Sequence, residues 1–359
     1  MTVLSSAAYE ADGEADALEL CYRNGWTDGL PVVPPTEERV RRMLAAVPRE
    51  PAEVLGVYRE RGRQITLEKV AINAVMAGCL PEYLPLVVAI VEVLLDPRYD
   101  FHAANASTGS PALGFIVNGP IRDAIGMNYQ GNVLGPGNRA NATIGRALRL
   151  LQINAFGSVP GAGLDEASPL PILDRATLGQ PGKYAGFHLP EYEEAYPDWP
   201  PLHVERGFAR DQNVVTVFAT GGGLQISLHV EQRAEQIAET VAHQLAHLGR
   251  NTGQGWLVLA LTPEAARIVV RDGWSRAQLR EAIYARATRS TAWLKQNGWS
   301  TGGFLHGALS NAPLAPGDEL QQKSVVRGPD DIYLVVAGGP AGAWAYVLLP
   351  YGPIAAKAF

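Results

Sequence analysis

The chain has 359 residues, of which 47% are hydrophobic and 18% are charged, and its formal net charge is −6. This length suits two domains or one large α/β unit, and the apolar content is sufficient for a substantial core. The acidic balance and the absence of a basic run argue against nucleic acid as a partner.

The sequence carries no recognisable targeting or membrane signal. Residues 1–20 are acidic and alanine-rich, without the basic and apolar regions of a secretory signal. The longest apolar run, 84–95, contains Glu92 and is too short to cross a bilayer. Cys21 and Cys79 are the only cysteines, which are too few for a disulfide framework. We therefore expect a soluble cytoplasmic protein with no membrane partner.

Helices are the main predicted elements before residue 100. Apolar periodicity predicts helices over 13–24, 37–47, 66–79 and 81–95. Thr36 is placed to cap the second of them. In the preceding segment TDGLPVVPPT, the prolines hold the backbone extended, and Asp28 beside Gly29 indicates a tight turn.

A glycine-rich turn at 135–137 follows the predicted strand Leu113–Val117 and leads into an amphipathic helix. The turn presents Asn138, Arg139 and Asn141. Backbone N–H groups at a helix start and the positive end of the helix dipole favour an anion, and these side chains add further donors. We therefore predict that they bind the acidic group of a small molecule. The alternative is an ordinary helix start that is capped by an asparagine.

Residues 158–212 lack clear periodicity and concentrate ionisable side chains, which is typical of a functional loop. Crowded carboxylates raise one another's pKa, and a nearby cation determines which of them stays charged. We predict that Glu193 or Glu194 moves a proton, with Lys183 and His203 assisting. The alternative is a solvated acidic loop with local ion pairs. The predicted substrate site is completed by Asn118, Tyr184 and Asp28.

The C-terminal part alternates strands with helices. Strands are predicted over 213–219, 256–261, 332–337 and 343–349, and helices over 231–249, 263–271 and 276–287. The last two strands, joined by AGGPAGA, are predicted to form a hairpin. We expect an α/β (or α+β) fold with mixed sheets flanked by helices and a long irregular region in the middle. The predicted divisions are an N-terminal arm (1–25), a core (26–212) and a C-terminal α/β domain (213–359).

No cofactor is predicted. Gly221–Gly223 follow a predicted strand, but the G-x-G-x-x-G pattern and a Walker lysine are absent. His243 and His247 are one helical turn apart, a spacing that can bind zinc, although Gln244 occupies the position of the metalloprotease glutamate. A divalent metal is therefore a weak alternative, and both histidines also fit a polar helix face near a C-terminus.

Six segments carry a family resemblance: TDGLPVVPPTEERV, TLEKVAINAVMAGCLPEYLP, IVNGPI, GPGNRANATIGRALRL, TLGQPGKY and PLHVERGF. From about Gly25 to Phe208 the chain resembles an uncharacterised bacterial and actinobacterial family. That family is similar to the larger partner of a two-component system whose smaller partner carries a U/C-G-S-C motif, with selenocysteine or cysteine. The resemblance implies a thiol-oxidoreductase-related enzyme component with the redox atom on the partner. The C-terminal segment AGAWAYVLLPYGPIAAKAF and the segment AGFHLPEYEEAYPDW depart from the family pattern.

Three functions are open at this point. The leading one is an enzyme of lyase, isomerase or hydrolase type that acts on a small anionic metabolite by acid–base chemistry, in bacterial secondary or specialised metabolism. The second is one component of a thiol- or selenol-dependent oxidoreductase, with a small thiol or selenol protein as its partner. The third is a non-catalytic ligand-binding or scaffold subunit. We also expect a homo-oligomer.

Overall fold

The computed structural model describes residues 4–160, 174–248, 255–296 and 313–359, apart from the side chains of residues 247 and 248. The helices in these ranges are α1 (Gly13–Arg23), α2 (Glu37–Leu44), α3 (Leu67–Ala77), α4 (Leu84–Leu95), α5 (Phe101–Asn105), α6 (Ile121–Ala124), α7 (Arg139–Leu151), α8 (Gly182–Ala185), α9 (Leu202–Glu205), α10 (Ala234–Leu248), α11 (Pro263–Arg271), α12 (Arg276–Arg286) and α13 (Thr291–Gln296). The strands are β1 (Val54–Tyr58), β2 (Arg63–Thr66), β3 (Ala112–Asn118), β4 (Phe187–Pro190), β5 (Val214–Ser227), β6 (Leu257–Leu261), β7 (Thr288–Ser290), β8 (Gln322–Ser324), β9 (Ile332–Val336), β10 (Trp344–Pro350) and β11 (Ala355–Ala358). The predicted fold class, α/β with mixed sheets flanked by helices, is confirmed.

A seven-stranded mixed sheet forms the framework. Its strand order is β4-β3-β5-β10-β6-β9, and β11 also pairs with β5. The first half of the 14-residue strand β5 lies between β3 and β11, and its second half pairs with β10. The sheet therefore contains strands from both sides of the division predicted between residues 212 and 213.

The sheet consists of two halves with the same topology. In the first half, β3 and β4 are parallel and are connected through α7 and α8, and β5 returns antiparallel to β3. In the second half, β6 and β9 are parallel and are connected through α11 and α12, and β10 returns antiparallel to β6. The halves meet where β5 and β10 pair antiparallel. The two halves share their topology, whereas the sequence shows no repeat of fixed period.

The sheet is strongly curled. One buried cluster takes a residue from each of six strands: Leu189, Ile116, Phe218, Leu348, Val258 and Val335. Because neighbouring strands lie about 4.8 Å apart, five intervals would hold the edges of a flat sheet about 24 Å apart. The backbone N–H of Tyr192, just after β4, donates to the carbonyl of Val336 in β9 at 2.7 Å. The two edge strands therefore approach each other.

Helices cover the outer face of the curled sheet in two groups. Helices α3, α4 and α7 pack against outward residues of β3 and β5, such as Phe115 and Val217. Helices α10, α11 and α12 pack against outward residues of β6, β9 and β10, such as Leu259 and Val347. Among the described residues, no helix has the length and hydrophobicity that a membrane span requires.

Local caps set several helix starts. The Thr36 hydroxyl accepts a hydrogen bond from the backbone of Arg39, and Thr66 does the same for Lys69. Ser275 forms a reciprocal capping box with Gln278. The predicted helices of these segments are present because their start signals are local.

The predicted hairpin between 332–337 and 343–349 is wrong. Both strands exist, as β9 and β10, but β6 lies between them. β6 pairs parallel with β9 and antiparallel with β10. The glycine-rich connection supplies a turn of the chain, and this property alone does not distinguish a hairpin from a connection that passes a third strand.

The region 158–212 is less irregular than predicted. Of its residues, 161–173 lie outside the described part of the chain, and the remainder contains α8, β4 and α9. Strand β4 is an edge strand of four residues, Phe-His-Leu-Pro, that pairs parallel with β3. It is too short to show the alternation by which a strand is recognised in sequence.

Candidate functional site

The glycine turn precedes α7 as expected, and its asparagines are bonded to backbone. The Oδ1 atom of Asn138 accepts from the backbone N–H of Asn141 at 3.0 Å, and its Nδ2 donates to the Gly126 carbonyl at 2.8 Å. The buried side chain of Asn141 accepts from the N–H of Asn128 and donates to its carbonyl. These bonds cap the helix and anchor the segment before it. A direct role of the two asparagines in substrate binding stays a prediction.

Arg139 and Asp28 attach neighbouring segments to α7. The exposed Arg139 donates from Nε to the Gly78 carbonyl at 2.9 Å. The Asp28 carboxylate pairs with both Nε and Nη2 of Arg146, each at 2.9 Å. This two-pronged ion pair fixes the TDGLPVVPPT segment against the helix. Binding of substrate by Arg139 or Asp28 also stays a prediction.

Four predicted site residues, Asn118, Glu193, Glu194 and His203, come together at the C-terminal ends of β3 and β4. At their centre lies Arg122, which the sequence analysis missed. Its Nη2 lies 2.8 Å from Oε1 of Glu194, and its Nε lies 3.3 Å from Oε1 of Glu193. The same Glu193 oxygen accepts from Nδ2 of Asn118 at 3.0 Å and lies 3.9 Å from Nδ1 of His203.

A second missed residue, Glu191, closes the curled sheet. Its fully buried carboxylate accepts from Nδ2 of Asn118 at 2.7 Å, from the N–H of Leu202 at 2.8 Å and from Nη2 of Arg276 at 2.5 Å. Arg276 also donates to the Leu334 carbonyl in β9 at 3.0 Å. This network therefore links the two halves of the fold where the edge strands approach.

The ion pair with Arg122 sets the protonation of Glu194. Partial burial acts to raise the pKa of this carboxyl, but the hydrogen bond and the charge of Arg122 outweigh it, so the pKa lies below its ordinary value. A carboxylate of this kind stays ionised at neutral pH, whereas an efficient general acid or base has a pKa near the working pH. The observed geometry fits an ion-pair network, and proton transfer by Glu193 or Glu194 stays a prediction.

Lys183 and Tyr184 lie in α8, away from that network. The Nζ of Lys183 lies 2.8 Å from Asp174, whose other oxygen lies 3.0 Å from Nη2 of Arg149. Burial lowers the pKa of Lys183, and the bond to Asp174 offsets this only in part. The adjoining cavity has a volume of about 20 Å³, which is room for about one water molecule. Tyr184 is exposed.

The described part of the chain gives no support to a metal site. His243 is exposed on α10, with its Nε2 3.6 Å from the Glu239 carboxylate, and the side chain of His247 lies outside the described residues. Within the described ranges, no group of three or more His, Cys, Asp or Glu side chains is arranged to hold a metal ion.

A larger cleft, also missed in the sequence, lies where β5 and β6 end and β10 begins. Its volume is about 370 Å³, within the range of small-molecule sites. Three chain segments supply its walls, and their chemistry-bearing side chains are His229, Glu231, Glu264, Arg267 and Arg271. The segments are far apart in sequence, so no local motif marks the cleft.

Glu231 is the buried acid of this cleft. The residue is 8% exposed, and its Oε1 accepts from the Thr240 hydroxyl at 2.7 Å. Its Oε2 is buried without a hydrogen-bond partner among the described residues. A buried carboxylate oxygen without a donor is unfavourable, and Glu231 is one of the residues that line the cleft.

His229 and Ala343 line the side of the cleft next to β10, and Gly342 lies beside His229. The His229 ring contacts the Trp344 ring edge to face, with centroids 4.7 Å apart. A Cβ atom at Gly342 would lie 2.8 Å from Nε1 of Trp344 and 3.2 Å from Nε2 of His229, and the glycine has a φ of +88°. Only glycine therefore fits here.

Helix α11 contributes Glu264 and two arginines. Glu264 accepts from the N–H of Gly342 at 2.6 Å, which attaches the segment before β10 to α11. Arg271 donates from Nη2 to the Gln232 carbonyl and to Asp272. Arg267 is more open: its side chain is 67% exposed, and its Nη2 lies 3.7 Å from Glu264, beyond hydrogen-bond distance.

Comparison with known proteins gives no match: no protein-family model and no curated protein matches this chain. The resemblance to the two-component family therefore stays an expectation from the sequence motifs. Both of the chain's own thiols, Cys21 and Cys79, are buried, and burial raises the pKa of Cys79 to about 12.

Proposed function

We propose that the chain is an enzyme that acts by acid–base chemistry on a small metabolite with an acidic group, in the 370 Å³ cleft. The observation that carries the proposal is the buried Glu231 carboxylate, one oxygen of which has no hydrogen-bond partner among the described residues. Glu231 lines the cleft together with His229 and Arg267. The cleft has the volume of a small-molecule site, and several polar side chains converge in it.

The position of the cleft in the fold supports the proposal. It lies outside the C-terminal ends of β5 and β6, where the second half of the sheet begins. The segments that follow β5 and β6 both contribute to its walls, and binding residues are found disproportionately on loops positioned by a rigid scaffold.

Each polar residue has a role that its chemistry suits. Arg267 binds the acidic group of the substrate, because its exposed guanidinium presents a planar fork of donors to a carboxylate or phosphate. His229 moves the proton, since histidine is the most frequent general acid or base in enzymes. Glu231, whose Oε2 has no donor among the described residues, accepts a hydrogen bond from the substrate and orients it.

Proton exchange tests this function before the natural substrate is known. A panel of small carboxylates, including pyruvate and succinate, is incubated with the protein in D₂O, and the loss of C–H signals is followed by NMR. We expect exchange with the wild type, no exchange with His229→Asn, and weakened binding with Arg267→Ala. Arg98→Ala, which removes an exposed, ion-paired arginine in the other half of the fold, is the control. Exchange that His229→Asn leaves unchanged, or the absence of exchange and of binding for the whole panel, would overturn the proposal.

A further inference from the structure

We infer that the metabolite bound in this cleft is a zwitterion of the amino acid type, with an ammonium group at Glu231 and a carboxylate at Arg267. The inference rests on the proposed function, because it concerns the same cleft, and it names the class of substrate.

The first argument concerns the chemistry that Glu231 selects. One oxygen of its buried carboxylate is satisfied by Thr240, and the other has no donor among the described residues. An ionised carboxylate only accepts hydrogen bonds, so the missing partner is a donor. A cationic N–H donor forms the strongest such bond, since it also compensates the buried negative charge. A second carboxylate would be repelled at this position.

The second argument concerns the opposite charge. The guanidinium of Arg267 is not hydrogen-bonded to Glu264, because the nearest atoms are 3.7 Å apart. Arg271 is held by the Gln232 carbonyl and Asp272 and therefore forms a fixed part of the wall. Arg267 is thus the cation of the cleft whose donors are open to a carboxylate of the ligand.

The third argument is the charge balance of the whole cleft. Its lining contains two carboxylates, Glu231 and Glu264, and two guanidinium groups, Arg267 and Arg271, so these formal charges cancel. A ligand with no net charge but with two separated charged groups matches this lining better than a dianion does. Leu228, Ile268 and Ala343 provide the apolar surface for the body of such a ligand.

Matched ligand pairs test the inference by titration calorimetry at neutral pH. The pairs are aspartate with succinate and alanine with propionate, whose members differ by the amino group. We expect the amino member of a pair to bind the wild type about 10- to 100-fold more tightly, the range typical of a hydrogen bond to a charged group. The Glu231→Gln variant should lose this preference and still bind the carboxylate ligands. The Arg267→Ala variant should bind both members of each pair more weakly. Glu239→Gln, on the exposed side of α10, is the matched control.

The outcomes separate the two proposals. Equal or weaker binding of the amino member by the wild type would overturn the zwitterion and leave the acid–base function in place. Failure of every ligand to bind would overturn both. Because the central comparison uses the wild type alone, it does not depend on the folding of the Glu231→Gln variant.

Discussion

The buried histidine His188 in β4 makes stability depend on pH in a way that can be measured. Its ring packs against Phe115, with centroids 4.4 Å apart, and lies next to Gly145 of α7. Burial lowers the pKa of His188 to about 4, whereas an unperturbed histidine titrates near 6.5. The unfolded chain therefore takes up a proton at a higher pH than the folded chain does. Acidification consequently favours unfolding.

The size of the effect follows from the two pKa values. A difference of about 2.5 pKa units, from about 6.5 to about 4, corresponds to about 3 kcal/mol once the pH falls below both values. Between pH 7 and pH 5, where only the unfolded form is protonated to a large extent, the free energy of unfolding should fall by about 2 kcal/mol on account of His188. This contribution is fully present above pH 7.

Urea denaturation at pH 7, 6 and 5 measures this contribution. We expect the wild type to lose about 2 kcal/mol more than His188→Asn over this interval, although the variant is less stable at every pH because it loses packing. His243→Asn, which removes an exposed histidine of α10, should follow the wild type. If wild type and His188→Asn lost the same free energy between pH 7 and pH 5, the account of His188 as a buried neutral group would be refuted.

Two further substitutions probe the link between the two halves of the sheet and the packing of α7 against α8. Glu191→Gln removes the nearest counter-charge of the buried Arg276 guanidinium and leaves it only the Glu205 carboxylate at 3.8 Å. The free energy of unfolding should fall by about 3 kcal/mol, and a loss below about 1 kcal/mol would contradict the closing role of this pair. Gly145→Ala places a Cβ atom 1.7 Å from the Ala185 carbonyl oxygen and should cost about 1 to 3 kcal/mol. An unchanged melting temperature, relative to Ala142→Ser on the exposed side of α7, would show that α8 shifts without cost.

The sequence predicts those parts of the fold whose signals are local. Thr36, Thr66 and Ser275 each mark a helix start because the cap and its partner are three residues apart. Strand order, in contrast to a helix start, is not marked by a local signal. The glycine-rich connection after β9 is compatible with a hairpin, and the placement of β6 between β9 and β10 depends on packing against helices that precede them by up to 100 residues.

The candidate site is even harder to predict from local sequence signals, because its residues come from distant segments. The sequence analysis predicted Glu193, Glu194 and His203 for one region; Glu193 is hydrogen-bonded to Asn118 and lies near His203, and Glu194 pairs with Arg122. Their partner Arg122 is 72 residues from Glu194 in the chain, and nothing in its local sequence distinguishes it from a surface arginine. The 370 Å³ cleft is assembled from three distant segments. In sequence, Glu231 is one acid among 36 acidic residues.

The pairing of β11 with β5 has a consequence for synthesis on the ribosome. The first half of β5, which begins Val-Val-Thr-Val-Phe, has β11 as its neighbour on the side away from β3. More than 120 residues must emerge after β5 before Lys357 of β11 can reach Glu92 of α4, 3.2 Å from its carboxylate. Until then, a nascent chain that has already formed β3, β4 and β5 presents an apolar strand edge, which is a template for unwanted pairing. Pairing with β11 is the step that covers this edge.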